Sequence, residues 1–371
     1  MFSGPPPSCW QQSFYASYSE ARSAWLAAIA ALAKSASPPL ASRSFAHPLH
    51  GPEAEALATD VLWLGAESAD RVIVFISANH GVEGFVGSAV QRMLVSTLAA
   101  GELALPTGAA ILFVHALNPW GMAWARRCDE QGIDLNRNFV DFNQPPPSNP
   151  HYAKLRPWLF EANASKRRQA LAQIAAELGR LEYEMALSGG QYIDPQGPFY
   201  GGTAPAFGRQ VIEQLMEDYR LAGRHLLVID VHSGLGPWGY GELICDHAAG
   251  SANESYAVSL FGATVAMPER GTSSSVPKRG LLDFAWHAIM DARSFFLTLE
   301  FGTYATDALF DTLIDDHIFW ANGGPDKLSR EAYQQQRQRM LAHFCPDDIY
   351  WQQSVLLKSW QVADRLLRAL A

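Results

Sequence analysis

The stretch RVIVFISANHGVEGFVG, residues 71–87, decides the fold class of this chain. Its first half is a run of β-branched and aromatic residues without polar alternation, which is typical of a strand buried on both faces of a sheet. After the glycines Gly81 and Gly84, an apolar pattern at helical spacing begins. A buried strand that leads directly into a helix is typical of an α/β protein.

Further apolar runs predict four more buried strands, at residues 110–115, 226–231, 242–245 and 295–299. Helical patterns occupy residues 85–98, 171–181 and 356–370. Strands that alternate with helices predict an α/β fold, a three-layer sandwich in which helices flank a central sheet. We expect that sheet to be mixed but mostly parallel.

The proline-rich residues 144–150 interrupt this alternation, and a helical segment follows them to about residue 190. The next predicted strand resumes the same sheet, and the segment alone is too small to fold comfortably. We therefore predict a single domain over residues 1–371, with a helical insertion or lid at about residues 145–190.

The composition argues against several classes of protein. The net charge of −9 is unfavourable for non-specific nucleic-acid binding, which needs a basic surface. No apolar stretch approaches the ~20 residues of a membrane span. The four cysteines, Cys9, Cys128, Cys245 and Cys345, form no CxxC pair, which favours reduced thiols. The first residues lack the order of a signal peptide, so we expect a soluble, cytoplasmic protein.

His80 and Glu83 follow the first predicted strand, at the edge where open α/β sheets bind ligands. Residues three apart on a first helical turn face the same way, and the helix N-terminus favours a carboxylate there. A neutral imidazole and a carboxylate that converge on one point suit a zinc ion. The alternative is a surface histidine beside an ordinary N-terminal carboxylate.

His232 supplies a third candidate ligand, because it follows the predicted strand at residues 226–231. Asp230, two residues earlier, points to the same side of an extended chain and could orient an imidazole. The alternative for His232 is a core histidine bonded to a backbone carbonyl. His115 and His225 also lie at strand ends, but neither has a carboxylate at ligand spacing. Two histidines and one carboxylate, with a fourth coordination position left open for water, are the ligands of a catalytic zinc site.

Glu300 ends the apolar run of the last predicted strand, where a lone carboxylate is costly without a partner or a task. We predict that it is the general base toward the zinc-bound water and then the acid toward the leaving amine. A buried salt bridge is the alternative. Residues 234–239 formally match GxGxxG, but Pro237 and the strand pattern that follows argue against a dinucleotide site.

The segment NPWGMAWARRCDEQGIDLNRNF, residues 118–139, is the most specific motif. With it, the sequence resembles the M14 zinc carboxypeptidases, and among them the DUF2817 branch. His80 and Glu83 resemble the family's HxxE motif, residues 118–121 its Asn-Pro-Asp-Gly turn, and residues 132–139 its Gly-Val-Asp-Leu-Asn-Arg-Asn-Phe run. In this resemblance the third zinc ligand falls on His232 and the catalytic glutamate on Glu300.

The resemblance also implies roles for basic residues. Arg127 matches the arginine that helps to hold the oxyanion of the tetrahedral intermediate, although the adjacent Arg126 is an alternative. Asn136 and Arg137 match the pair that binds the terminal carboxylate of the substrate. An arginine fork suits a carboxylate because it donates two parallel hydrogen bonds. Taken alone, this run would indicate a turn-capping asparagine and a surface ion pair.

The sequence departs from the family at the mobile tyrosine that lies upstream of the catalytic glutamate. Residues 267–290 contain no tyrosine, and Lys278 or Arg279 is a candidate to replace it in carboxylate binding. Residues 189–203, rich in glycine and aromatic residues, either wall the cleft or form an ordinary structural loop.

From these motifs we predict a metallocarboxypeptidase-like hydrolase that depends on one Zn²⁺ and cleaves an amide bond next to a free carboxylate. The expected partner is a small peptide or an N-acyl amino acid, not a nucleic acid or a membrane. The alternative is an amidohydrolase or deacylase that acts on N-acyl amino acids or cell-wall peptides. A non-catalytic metal-binding protein is a third interpretation, against which the presence of Glu300 argues.

Overall fold

The computed structural model describes residues 13–35 and 38–371. Within these ranges one sheet contains the strands β1 (Leu40–His50), β2 (Ala56–Gly65), β3 (Arg71–Ser77), β4 (Ala109–His115), β5 (His225–Ser233), β6 (Gly241–Ile244), β7 (Val265–Ala266) and β8 (Phe295–Phe301). The α-helices are α1 (Tyr18–Ser35), α2 (Gly84–Ala99), α3 (Pro119–Ala123), α4 (Tyr152–Leu159), α5 (Ala164–Leu178), α6 (Arg180–Ser188), α7 (Phe207–Asp218), α8 (Ala252–Phe261), α9 (Leu282–His287), α10 (Thr306–Ala321), α11 (Gly324–Lys327), α12 (Arg330–Phe344) and α13 (Ile349–Ala369).

The strand order in the sheet is β1-β2-β4-β3-β5-β8-β6-β7. The central strands β4, β3, β5 and β8 are parallel to one another, whereas β2 and β6 pair with this block in the antiparallel sense. The predicted α/β sandwich with a mixed, mostly parallel sheet is therefore confirmed. Parallel strands end at the same edge of a sheet, so the segments that follow β3, β5 and β8 meet there.

Strand β3 is buried on both faces, as its apolar run predicts. Ile73 and Phe75 pack into a core that includes residues of α2 and α13. Val72, Val74 and Ile76 point to the opposite face and pack with residues of α7 and α9. Because successive side chains of a strand alternate, one continuous apolar run serves both cores.

The five predicted strands correspond to β3, β4, β5, β6 and β8, with bounds that differ by at most two residues. The helical pattern at residues 171–181 is divided between two helices, which was not predicted. Gly179 ends α5 with φ +81°, and Leu181 lies beyond it with 56% of its surface exposed. The regular spacing of leucines therefore continues across a helix boundary.

The segment predicted as an insertion contains α4, α5 and α6. Leu171 of α5 shares a core with Leu309 of α10 and Met340 of α12. Arg167 of α5 also forms an ion pair with Asp315 of α10 at 2.5 Å. These helices are therefore packed against the body of the protein, and their status as an insertion stays a prediction.

Cys128, Cys245 and Cys345 are free thiols. Cys9 and the N-terminal residues on which the signal-peptide argument depends lie outside the described residues. Within residues 13–35 and 38–371, no helix has the length and apolarity of a membrane span.

Gly81 allows a close approach between the loop after β3 and helix α3. A Cβ atom on Gly81 would lie 2.1 Å from the carbonyl carbon of Gly121. We expect Gly81→Ala to lower the free energy of unfolding by about 3 kcal/mol, the upper end of the cost of overpacking, as measured by urea denaturation. Gly223→Ala is the control, because a Cβ atom there would have no neighbour within 4 Å. Its backbone φ of +80° is unfavourable for alanine, so we expect this variant to lose about 1 kcal/mol in the free energy of unfolding. Equal losses in the two variants would contradict the packing argument.

Candidate metal centre and active site

The polar residues of the candidate site lie at the carboxyl ends of three neighbouring strands. His80 and Glu83 follow β3, His232 is near the end of β5, and Glu300 is near the end of β8. In the sheet register His232 pairs directly with Glu300. Because β5 lies between β3 and β8, the order of the strands brings these four residues to one edge of the sheet.

His80, Glu83 and His232 form a buried cluster of three possible metal ligands. The Nδ1 atom of His80 lies 2.9 Å from Oε1 of Glu83, and Nδ1 of His232 lies 3.0 Å from Oε2 of Glu83. The two Nδ1 atoms are 3.1 Å apart. Ligand atoms about 2.0–2.1 Å from a tetrahedral zinc ion are about 3.3 Å apart, so the donor types and their spacing fit zinc.

Carboxylates lie beside both imidazole rings of the cluster, but among the described residues only the Nε2 atom of His232 is hydrogen-bonded to one. Nε2 of His232 lies 2.6 Å from Oδ2 of Asp230, and Nε2 of His80 lies 3.2 Å from Oδ1 of Asp134. Asn79 also donates to Asp230, at 2.8 Å. The two Nδ1 atoms face each other, and the hydrogen bond between His232 and Asp230 is the type of contact that orients a metal-binding histidine.

Asp134 is a functional candidate that the sequence reasoning missed. It lies two residues before Asn136 in the segment that carries the resemblance, and its side chain is fully buried. The signal that could have found it is a carboxylate in the same short run as two other site candidates. Its side chain lies 3.2 Å from His80, a residue distant in the sequence, and local sequence patterns do not specify such a contact.

The cluster and its neighbours include three buried acids, Glu83, Asp134 and Asp230, and their charges shift the pKa values of the groups beside them. Burial raises the pKa of Glu83, but His80 and His232 outweigh that effect and hold the pKa below its usual value. Burial lowers the pKa of His232, but Asp230 and Glu83 outweigh it and place the pKa well above its usual value. The carboxylates therefore favour positive charge between them, which a divalent cation would supply.

Arg127, and not Arg126, belongs to this cluster. Nη1 of Arg127 donates to Oε1 of Glu83 at 3.1 Å, and Nε donates to Oδ2 of Asp134 at 2.9 Å. Arg126 instead donates to Asp316 at 2.9 Å and does not line the cavity beside the cluster. Of the two adjacent arginines, only Arg127 therefore lies beside the candidate metal ligands, and its role stays a prediction.

Arg137 is a fully buried guanidinium held by backbone carbonyls. Its Nε and Nη2 atoms donate to the carbonyl of Ser188 at 3.1 and 2.7 Å, and Nη1 donates to the carbonyl of Asn136. Among the described residues, no carboxylate lies within ion-pair distance of it. The Asn136 side chain is also part of the cavity wall, and its Oδ1 accepts a hydrogen bond from the backbone N–H of Leu282 at 2.8 Å.

Glu300 lines the same cavity and forms no ion pair among the residues described. Its Oε1 accepts a hydrogen bond from the backbone N–H of Leu235 at 3.1 Å. Burial, together with the negative charge of Glu83, raises the pKa of Glu300 to about 8. The buried salt bridge that was the alternative interpretation is absent from the described part of the chain.

Lys278 and Arg279 differ in their position relative to the cavity. Lys278 lines it, and its Nζ donates to the carbonyl of Val276 at 3.0 Å, whereas Arg279 is exposed and does not line it. The loop at residues 189–203 contributes Phe199 to the cavity wall. Its Tyr192 hydroxyl donates to the carbonyl of Arg137 at 2.6 Å. The loop therefore has both of the roles considered, as a wall and as a structural support.

The other strand-end histidines lie apart from the cluster. His115 contacts Ser88 at 2.8 Å and stacks on Trp25, with ring centroids 4.9 Å apart. His225 lies at the opposite end of β5 from His232. Residues 234–239, the formal GxGxxG match, lead into strand β6 and not into a helix.

A family model described as "Protein of unknown function (DUF2817)" matches residues 14–358. This match spans nearly the whole chain and includes every predicted site residue. No curated protein sequence matches the chain.

Several solved structures are similar to this one. Carboxypeptidase A from Helicoverpa armigera is 13% identical, with a TM-score of 0.49 over 94% of this chain and 74% of that chain. The succinylglutamate desuccinylase from Chromobacterium violaceum is 15% identical, with a TM-score of 0.38 over 85% of this chain and 79% of that one. An aspartoacylase family protein from Mesorhizobium loti is 18% identical, with a TM-score of 0.36 over 76% and 67% of the two chains.

Proposed function

The chain belongs to the DUF2817 family, as its motifs predict, and from the geometry of its buried site we propose that it is a zinc-dependent hydrolase. The bond cleaved is an amide next to a free carboxylate, as in a metallocarboxypeptidase. One observation carries the proposal. Three possible metal ligands with donor atoms within 3.1 Å of one another share a cavity with Glu300 and Arg137, neither of which has an ion-pair partner among the described residues. These are the parts that hydrolysis of such a bond requires.

His80, Glu83 and His232 are the proposed ligands of a single zinc ion. A zinc ion bound there would act as a Lewis acid and lower the pKa of a water molecule to about 7. Asp230 holds Nε2 of His232 by a hydrogen bond, and Asp134 lies 3.2 Å from Nε2 of His80, on the side of that ring away from the Nδ1 atom that would bind the metal.

Glu300 is the proposed general base. Its carboxylate takes a proton from the attacking water and passes it to the leaving amine. The backbone N–H of Leu235 holds one oxygen, so the other is available for this exchange. A pKa of about 8, which burial and the charge of Glu83 produce, suits a group that accepts and returns a proton near neutral pH.

Arg127 is the proposed donor to the oxyanion. Its hydrogen bonds within the described residues use Nε and Nη1 and leave Nη2 free to donate. The two carboxylates that it contacts hold the guanidinium rigidly beside the metal ligands. A donor fixed in advance costs no reorganisation when negative charge develops on the substrate oxygen.

Arg137 is the proposed binding site for the carboxylate of the substrate, together with Asn136. A guanidinium has five N–H donors, and three hydrogen bonds to carbonyls leave two, on the terminal nitrogens. A buried arginine without a counter-ion is unfavourable, and a substrate carboxylate would supply that counter-ion.

We expect peptides with a free C-terminus to be hydrolysed at least about 100-fold faster, in kcat/KM, than the same peptides with a C-terminal amide. This factor corresponds to the loss of a buried, charge-assisted pair. Arg137→Lys should remove most of this preference, because an ammonium cannot form the two-pronged contact. The measurement is steady-state hydrolysis of matched free and amidated peptides by the zinc-loaded protein.

Arg209→Lys is the matched control for this prediction. Arg209 donates to backbone carbonyls of residues 138 and 140 but does not line the cavity, so its variant should keep the preference. Equal turnover of free and amidated peptides by the wild-type protein would rule out carboxylate-dependent cleavage. Turnover of N-acyl amino acids in preference to peptides would favour the deacylase alternative, and zinc binding without any turnover would favour a non-catalytic protein.

A further inference from the structure

Asn79 directly precedes the candidate ligand His80, and its side chain is fully buried. Its Nδ2 atom donates to Oδ2 of Asp230 at 2.8 Å. The same carboxylate oxygen lies 2.6 Å from Nε2 of His232 and accepts a second hydrogen bond there. Asn79 takes no part in the chemistry described above, but its side chain shares a hydrogen-bonded oxygen with a candidate ligand on another strand.

The hydrogen bond from Asn79 joins the two strand ends that carry the candidate histidine ligands. Backbone pairing of β3 with β5 ends at Ser77, the last residue of β3. The chain leaves the extended conformation at Ala78, where φ is +59°, so the backbone beyond it no longer pairs with β5. The Asn79 side chain reaches across this gap to Asp230, which lies on β5 two residues before His232.

Asp230 depends on these two hydrogen bonds for its orientation. Both reach Oδ2, whereas Oδ1 has no hydrogen-bond partner among the described residues, and only 1% of the residue is exposed. A carboxylate accepts but does not donate, so the amide nitrogen of Asn79 must face it. The terminal torsion of an aspartate is broad, so one contact alone leaves the carboxylate free to turn. Loss of the Asn79 donor would therefore weaken the hold of Asp230 on the His232 ring.

We propose that Asn79 is a positioning residue of the metal centre. Through Asp230 it fixes the imidazole of His232, and by the same hydrogen bond it ties the end of β5 to the loop that carries His80 and Glu83. The inference rests on the proposed function, because the side chains that it positions are the proposed zinc ligands. Ligands that are held together in advance need less rearrangement to bind a metal, and an orienting contact of this kind typically contributes about 10- to 100-fold to metal affinity.

Asn79→Leu tests this role, because leucine has nearly the same shape as asparagine and no side-chain donor. We expect the zinc affinity of the metal-free protein, measured by competition with a chromophoric chelator, to fall by about 10- to 100-fold. Urea denaturation of the same metal-free sample checks that the variant is folded. Asn79→Ala should lower the affinity in the same direction and serves if the first variant does not fold.

A double-mutant cycle shows whether Asn79 acts through Asp230. Asp230→Leu alone should lower the zinc affinity at least as much as Asn79→Leu does. Adding Asn79→Leu to it should change the affinity by no more than about 2-fold, because the acceptor of the hydrogen bond is already gone. If the two losses multiply instead, Asn79 acts independently of Asp230 and the positioning role is overturned.

Gln91→Met is the matched control. Gln91 is a fully buried amide that donates to the carbonyls of Phe75 and Val114 at 2.9 and 3.0 Å and does not line the cavity. Its variant should lose stability but keep its zinc affinity within about 2-fold. Hydrolysis by the wild-type protein, together with unchanged zinc affinity in Asn79→Leu, would overturn the role of Asn79 but keep the proposed function. Weaker zinc binding in Asn79→Leu without hydrolysis by the wild type would overturn the proposed function but keep Asn79 as a positioning residue of a zinc site.

Discussion

Replacement of Glu300 by glutamine should lower kcat by about 10²- to 10⁴-fold, the usual contribution of a general base, and leave the zinc content at one equivalent. The amide has nearly the same shape and can still accept the hydrogen bond from Leu235, but it cannot take a proton from water. Zinc should be retained because the proposed ligands are His80, Glu83 and His232. The measurements are steady-state kinetics and elemental analysis on the same preparation.

Glu254→Gln is the control for this experiment. Glu254 is a buried glutamate paired with Arg270 at 2.7 Å, and it does not line the cavity. Its variant should retain the wild-type kcat. Unchanged activity in Glu300→Gln would refute the proposed role of Glu300, whereas parallel loss of activity and zinc would indicate that Glu300 supports the metal site.

Replacement of His232 by alanine should reduce the zinc content from one equivalent to nearly none and remove hydrolysis. The change deletes one of three proposed ligands and also leaves the buried carboxylates of Glu83 and Asp230 without the imidazole between them. Competition with a chromophoric chelator measures the affinity directly. Dialysis of the wild-type protein against a strong chelator should reproduce the loss of activity, and added zinc should restore it only in the wild type.

His225→Ala offers a control on the same strand. His225 lies at the opposite end of β5, away from the cluster, so its variant should bind zinc with wild-type affinity. Full zinc content and activity in His232→Ala would overturn the proposed metal centre. Loss of zinc in His225→Ala alone would place the metal elsewhere.

The sequence predicts the part of the fold that is buried on both faces. The runs that become β3, β4, β5 and β8 are nearly all apolar, and such runs form central parallel strands. The unpredicted strand β1 lies at the edge of the sheet and is largely exposed, so it has no apolar run. Strand β7 has only two residues, which is too short for a periodic signal.

Strand β2 was also not predicted, although most of it is buried. Its Asp60 is buried and accepts a hydrogen bond from Nε of Arg22 at 2.7 Å, and Thr59 donates to the carbonyl of Ala116 at 2.9 Å. These partners are far away in the sequence. Polar residues whose burial depends on distant partners weaken an apolar pattern, so local patterns understate such a strand.

In the site, too, some residues can be found from local sequence patterns, whereas others are found only from contacts between distant parts of the chain. His80, Glu83, His232 and Glu300 can be selected from the sequence because each follows or ends a buried strand. The contacts of Arg127 with the cluster and the proximity of Asp134 to His80 arise only in the folded chain. The roles of all these residues stay proposals until the variants are measured.

The hydrogen bonds of Arg127 have a consequence for how this protein can diverge. Arg127 contacts Glu83 and Asp134, and Asp134 contacts His80, so these four side chains form a closed electrostatic circuit. Substitutions within such a circuit are strongly non-additive, and no single member can change without disturbing the others. Within the described residues, no hydrogen bond or ion pair joins Lys278 of the cavity wall to that circuit, so duplicated copies of the gene can change this wall, and with it the substrate preference, while the reaction itself is inherited intact.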